Sequence, residues 1–185
     1  MEALLISTAV VALAEIGDKT QLLALILVTR FRAPWPIVGG IAVATLANHA
    51  LAGAVGAWLM NVAGPDALRW VIGISFLAMA VWTLVPDSAP EDSAVKPRGG
   101  IFVATVVAFF LVEMGDKTQV ATVALAARFE NLWAVIAGTT LGMLIANAPV
   151  VFAGDVLLKR IPLGAVRIVA AASLAAMGIY VLVSG

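Results

Sequence analysis

Glu15-Ile16-Gly17-Asp18-Lys19-Thr20-Gln21 returns as Glu113-Met114-Gly115-Asp116-Lys117-Thr118-Gln119, 98 residues further on and identical at six of seven positions. Both copies lie inside long apolar stretches. A charged seven-residue match in such surroundings is not a product of composition, whereas apolar matches such as Met79 with Met177 would mean little alone. The same offset carries Arg30-Phe31 onto Arg128-Phe129, Trp35 onto Trp133, Arg69 onto Arg167 and Ser75 onto Ser173. An offset of 99 carries Ala47-Asn48 onto Ala146-Asn147, so the second half holds one extra residue. The chain is an internal duplication.

Its composition sets the solvent. Of 185 residues, 63% are apolar and 12% charged, with a mean hydropathy of +1.08. A soluble domain is nearer about 45–50% apolar and about 25% charged. A water-facing fold of this size cannot hide so much apolar surface, so the sequence describes an all-α integral membrane protein. A soluble enzyme, a nucleic-acid binder and a disordered chain are excluded. Formal net charge is zero, which argues against a polyionic partner. There is no cysteine and a single histidine. Disulfides, thiolate metal sites, cysteine nucleophiles and His-rich metal centres are therefore excluded.

A spanning helix needs about 20 apolar residues. Six such runs are expected, at Ala3–Val28, Ile37–Met60, Ala67–Val85, Ile101–Ala127, Leu132–Leu157 and Leu163–Val183. The first resembles a signal peptide only in length. It lacks a basic leader, Glu15 and Asp18 interrupt it, and its counterpart recurs internally, so it reads as a mature helix. Residues 86–100, with three prolines and five charges, read as a solvated linker. The expected organisation is a first three-helix repeat over 1–85, a cytoplasmic linker over 86–100 and a second three-helix repeat over 101–185.

Lysine and arginine placement gives orientation. Arg30, Arg32, Lys96, Arg98, Lys159 and Arg160, with Arg167 at a helix start, fall on one side, and only Arg69 and Arg128 fall on the other. Both termini are expected outside and the linker in the cytoplasm. Three helices per repeat is odd, so the halves must be inverted with respect to each other. Inverted repeats are a recurring transporter architecture, with substrate bound near the midplane where the repeats meet.

On a continuous helix Glu15, Asp18 and Lys19 would share one face, with Gln21 at its edge and Gly17 opposite. Glu113, Asp116, Lys117, Gln119 and Gly115 would repeat the arrangement. Bending at Gly17 and Gly115 is left open. Ionised groups at mid-bilayer cost at least about 2.5–3.5 kcal/mol each. Pairs that merely glue helices would need one acid per lysine, and here there are two. Four carboxylates and two lysines sum to −2 if all are ionised, which one divalent cation or two protons would balance. Burial favours a neutral carboxyl, while a lysine or metal favours the charged form, so metal and protons can displace each other.

The expected metal ligands are Glu15, Asp18, Glu113 and Asp116. Glu15 and Glu113 are the expected proton-coupled pair. Lys19 and Lys117 are expected to orient the acids and to discourage Na⁺ by adding positive charge. Thr20, Gln21, Thr118, Gln119, Asn48 and Asn147 are possible further oxygen ligands. This hard-oxygen set suits Ca²⁺, Mn²⁺ or Mg²⁺ over zinc or copper. Asn48 and Asn147 either bond helix to helix or line the ion path. His49, without a repeat equivalent, reads as a packing or hydrogen-bonding residue. Ser75 and Ser173 read as packing residues, and Gly138 with Gly142 as a helix contact. The five tryptophans read mostly as interfacial belts, and Asp155 as a solvated helix end.

The doubled Glu-x-Gly-Asp-Lys-Thr resembles the paired signature of the Gdt family, the Golgi calcium/manganese–proton antiporters and bacterial manganese exporters of the lysine-exporter superfamily. The resemblance covers essentially the whole chain, and no motif position departs from it. It implies export of Mn²⁺ or Ca²⁺ from the cytoplasm in exchange for protons, with the motif roles falling on Glu15, Asp18, Lys19 and Thr20 and on Glu113, Asp116, Lys117 and Thr118. No prosthetic group is expected. The short chain without a targeting extension resembles a prokaryotic plasma-membrane member. Rival readings are an exporter of a basic amino acid or other organic cation, a non-transporting membrane assembly factor, an uncoupled ion channel and, last, an intramembrane hydrolase, for which no His- or Cys-based constellation is present.

Overall fold

A computed structural model describes residues 1–85, 99–154 and 162–184. Among them are eight helices: α1 (Glu2–Glu15), α2 (Lys19–Phe31), α3 (Pro34–Val62), α4 (Pro65–Leu84), α5 (Ile101–Glu113), α6 (Lys117–Arg128), α7 (Leu132–Ala153) and α8 (Leu163–Ser184). No strand occurs among the described residues. Most of the linker, Asp155 and the basic residues Lys96, Arg98, Lys159 and Arg160 lie outside them.

Four helices, α3, α4, α7 and α8, are long and apolar enough to cross a membrane. The other two expected spans are not continuous. Ala3–Val28 is divided into α1 and α2, and Ile101–Ala127 into α5 and α6, each time at the repeated motif. α1 has 14 residues and α5 has 13, about 20 Å each, and a hydrocarbon core is about 30 Å thick. Neither reaches across alone.

The break is local chemistry. Gly17 and Gly115 sit at φ +83° and +80°, where a Cβ is disfavoured. Ile16 and Met114 before them are extended. Asp18 and Asp116 after them are extended too and stand at the N-cap positions of the next helices, where short acidic side chains are favoured. The Asp116 carboxylate accepts the Lys117 backbone N–H at 2.7 Å. The single helical face expected for Glu15, Asp18 and Lys19 is therefore corrected. Glu15 ends one helix and Lys19 begins another, and Gly17 supplies a turn instead of a flat helix contact.

The halves interlock crosswise. α1 lies along α7 and α5 along α3, while α3 meets α7 and α4 meets α8. Small residues permit the close approaches. A Cβ on Gly138 would stand 2.5 Å from the Leu4 carbonyl oxygen, and one on Gly142 2.6 Å from that of Thr8. The expected Gly138/Gly142 contact is thus made, and with α1. Ser75 and Ser173 are half-buried and bond back to their own helices at Val71 and Val169. Trp35, Trp58, Trp70, Trp82 and Trp133 are exposed and stand near the ends of α3, α4 and α7. Amphipathic rings favour that position in a membrane protein.

Candidate functional site

The crosswise packing brings the two broken helices together in the interior. Glu15, Asp18, Thr20, Asn48 and Asn147 are fully buried, Glu113 and Asp116 nearly so. Buried charges must be paired or bonded. Here the pairing is reciprocal between halves. Lys19 Nζ lies 3.0 Å from Asp116 Oδ2, and Lys117 Nζ pairs with Asp18 Oδ1. Lys19 keeps about a quarter of its side chain exposed, whereas Lys117 is buried.

Each motif also braces itself. Thr20 donates to Glu15 Oε2 and Thr118 to Glu113 Oε1. Gln21 Oε1 accepts the Gly17 N–H at 2.8 Å, and Gln119 Oε1 the Gly115 N–H at 2.7 Å. These bonds tie the glycine turn to the helix that follows. Gln21 Nε2 further donates to the Ala146 carbonyl at 2.8 Å, across the repeat boundary. Beside it, Asn147 Nδ2 lies 3.3 Å from Glu15 Oε2 and 3.1 Å from the Met143 carbonyl. Asn48 Nδ2 donates to the Phe110 carbonyl at 3.1 Å, one turn before Glu113.

All the expected site residues therefore belong to one neighbourhood, but they do not form one acid cluster. Among the described residues no group of three or more His, Cys, Asp or Glu side chains is close enough to hold a metal ion. The two aspartates are engaged by lysines. Two opposed ion pairs cancel, so Glu15 and Glu113, which interact electrostatically, are the groups that carry the remaining −2 when both are ionised. Glu15 Oε1, Glu113 Oε2 and the Oδ1 atoms of Asn48 and Asn147 are buried with no hydrogen-bond partner. Such atoms are costly to leave unmet. Four hard oxygens of this kind suit a cation better than a neutral ligand.

His49 is fully buried, and neither ring nitrogen has a hydrogen-bond partner. Packing is therefore what the structure records for it. Sequence reasoning treated Arg167 only as a topological charge. Its Nη2 donates to the Gly17 carbonyl at 3.2 Å, placing a half-buried cation just past the C-terminal end of α1, where the helix dipole favours it. The usable signal was its repetition: Arg69 and Arg167 are equivalent arginines near the starts of α4 and α8.

A buried, charge-bearing junction between two broken apolar helices defines an integral membrane protein of the ion-transporter class. Comparison narrows this. The family described as "Divalent cation/proton antiporter GDT1" matches the chain over residues 3–91 and 101–185, and the chain belongs to that family. It is a transporter and not an enzyme. It is 51% identical over 173 residues, 92% of this chain and 86% of the relative, to the "Putative manganese exporter" of Vibrio cholerae serotype O1. It is 34% identical over 172 residues, 82% of either chain, to the "GDT1-like protein sll0615" of a Synechocystis strain. No solved structure matches.

Proposed function

We propose that this protein exports Mn²⁺, Ca²⁺ or both from the cytoplasm of a prokaryote in exchange for protons. The unit would be six membrane crossings in two inverted repeats, with α1–α2 and α5–α6 each completing a crossing that neither segment makes alone. Both termini face outward in this reading, and the central linker faces the cytoplasm. The site lies near the midplane, where the two motifs meet.

The observation that carries the reading is the division of charge at the junction. The lysines neutralise the aspartates of the opposite half, and the two glutamates retain two negative charges in a water-poor interior. One M²⁺ or two H⁺ restores neutrality, and an ion of either kind alone keeps the buried charge small enough for the site to cross the low-dielectric region. Alternating access would expose the glutamate pair to each side in turn. The manganese assignment of the Vibrio cholerae relative supports Mn²⁺ as the first cation to try.

Purified protein in liposomes with a preset pH gradient and an internal pH dye tests this. Mn²⁺, Ca²⁺, Mg²⁺ and lysine are added separately. Collapse of the gradient by Mn²⁺ or Ca²⁺ in wild type, but not in Glu15→Gln or Glu113→Gln, is the expected result. Collapse by lysine alone would turn the reading to an organic cation. Folded protein that moves no proton with any of them would turn it to an assembly factor or an uncoupled channel.

A further inference from the structure

We propose that Asn48 and Asn147 are direct ligands of the transported cation, completing with Glu15 and Glu113 a shell of two carboxylates and two neutral amide oxygens. This deepens the antiporter reading and rests on it.

The polar residues around the motifs divide by what their oxygens already do. The Gln21 and Gln119 oxygens are occupied by the N–H groups of Gly17 and Gly115, so the glutamines serve as braces. The hydroxyls of Thr20 and Thr118 donate to the glutamates. Each aspartate meets a lysine. The asparagines differ. Both are fully buried, both spend their N–H groups, on Glu15 and Met143 in one case and on Phe110 in the other, and both leave Oδ1 unmet. Their positions are equivalent, and each reaches across to the opposite half. Asn147 on α7 touches Glu15 of α1. Asn48 on α3 touches the last turn of α5, which ends at Glu113.

A buried amide carbonyl without a donor is a cost that folding alone does not explain. Supplied to a hard divalent cation, it becomes a ligand that adds no charge. The division also fits the exchange. When the glutamates hold protons, the amide N–H and C=O groups can meet carboxyl oxygens. When they hold a cation, the amide oxygens join the shell, and the total stays neutral with no third proton.

The experiment measures Mn²⁺ binding to the purified full chain in detergent, by loss of the free Mn²⁺ electron paramagnetic resonance signal, with Ca²⁺ as competitor. Asn147→Ala and Asn48→Ala should each weaken Mn²⁺ binding by about tenfold or more. Asn147→Asp and Asn48→Asp keep an oxygen in place but lose a donor, and should bind within about threefold of wild type or more tightly. These variants keep the side-chain shape, so they decide the matter if an alanine variant does not fold. Alanine variants that bind like wild type, or aspartate variants as weak as the alanine ones, overturn the proposal; the latter result would make the amides donors to the glutamates. A wild type that binds neither cation and moves no protons fails the antiporter reading instead, which separates the two.

Discussion

The two halves carry nearly the same motif in unequal surroundings. Around Glu15 the structure assembles Thr20, Asn147 from α7 and, on the adjoining turn, Arg167 from α8. Around Glu113 it places Thr118, while the equivalent amide of Asn48 bonds the backbone at Phe110. The following helices differ too. α6 buries Ala121, Ala124, Leu125, Ala126 and Ala127 and packs on both α3 and α4. α2 buries Leu23, Ala24 and Leu27 and, among the described residues, lies mainly on α7 and α5; both helices carry an exposed arginine in the last turn, Arg30 and Arg128. Nearly identical local sequence thus gives the same breaks and the same threonine and glutamine braces, but among the described residues the long-range partners of the two motifs differ. Inequality between halves is what alternating access requires, since a symmetric arrangement would open to both sides or to neither.

The largest effect should come from the glutamates. Glu15→Gln and Glu113→Gln each remove one of two charges that no lysine neutralises, and cation-driven proton movement in liposomes should fall about 100-fold or more. Equal loss in both would show that the cation meets both halves in one step. A loss confined to one would assign the site to that half.

The ion pairs come next and should be unequal. Asp18→Asn takes the paired carboxylate from Lys117, which is almost wholly buried, whereas Asp116→Asn takes it from Lys19, which is a quarter exposed. Breaking a buried pair costs about 3–5 kcal/mol. Thermal unfolding in detergent should show that full loss for Asp18→Asn and a clearly smaller one for Asp116→Asn, because the lysine left behind can reach solvent. Matching losses would mean that exposure does not govern the comparison.

Arg167→Gln should lower stability by about 1.5–3 kcal/mol, the range for a hydrogen bond to a charged group. Arg167→Lys should recover part of it through the helix-end charge. An unaltered melting temperature in both would show that the bond to Gly17 contributes nothing. The smallest effect belongs to Gly115→Ala. No atom lies within 4 Å of the added Cβ, so only the strain of positive φ remains, about 1–2 kcal/mol. Gly115→Asn should cost less than alanine in the same melt, because asparagine tolerates that conformation.

Much of this was legible before any coordinates. The repeat, the apolar helices and every polar residue at the junction stand in the one-dimensional pattern, because burying charge in an apolar segment leaves a visible contradiction. The helix breaks were half legible. Gly17 and Asp18 are a turn residue followed by a capping residue, yet the apolar residues on either side read as one long span, and composition does not reveal backbone dihedrals. Arg167 was visible as the repeat of Arg69, but its target is a backbone carbonyl 150 positions away in the chain, which no local pattern encodes.

The amino-acid sequence alone determined the solvent, the duplication and the inventory of four acids and two lysines, and hence an excess of two acids over lysines. Those follow from residue identity and short-range periodicity. Which lysine neutralises which aspartate was decided only by the tertiary structure. Within a motif, Asp18 and Lys19 are adjacent, and a local pairing would have been the natural expectation. Breaking the helices and crossing the halves brings Lys19 to Asp116 and Lys117 to Asp18, and that exchange leaves the glutamates as the carriers of the remaining charge. Pairing at this range depends on where helices end and what packs beside them, and both are properties of the folded chain as a whole.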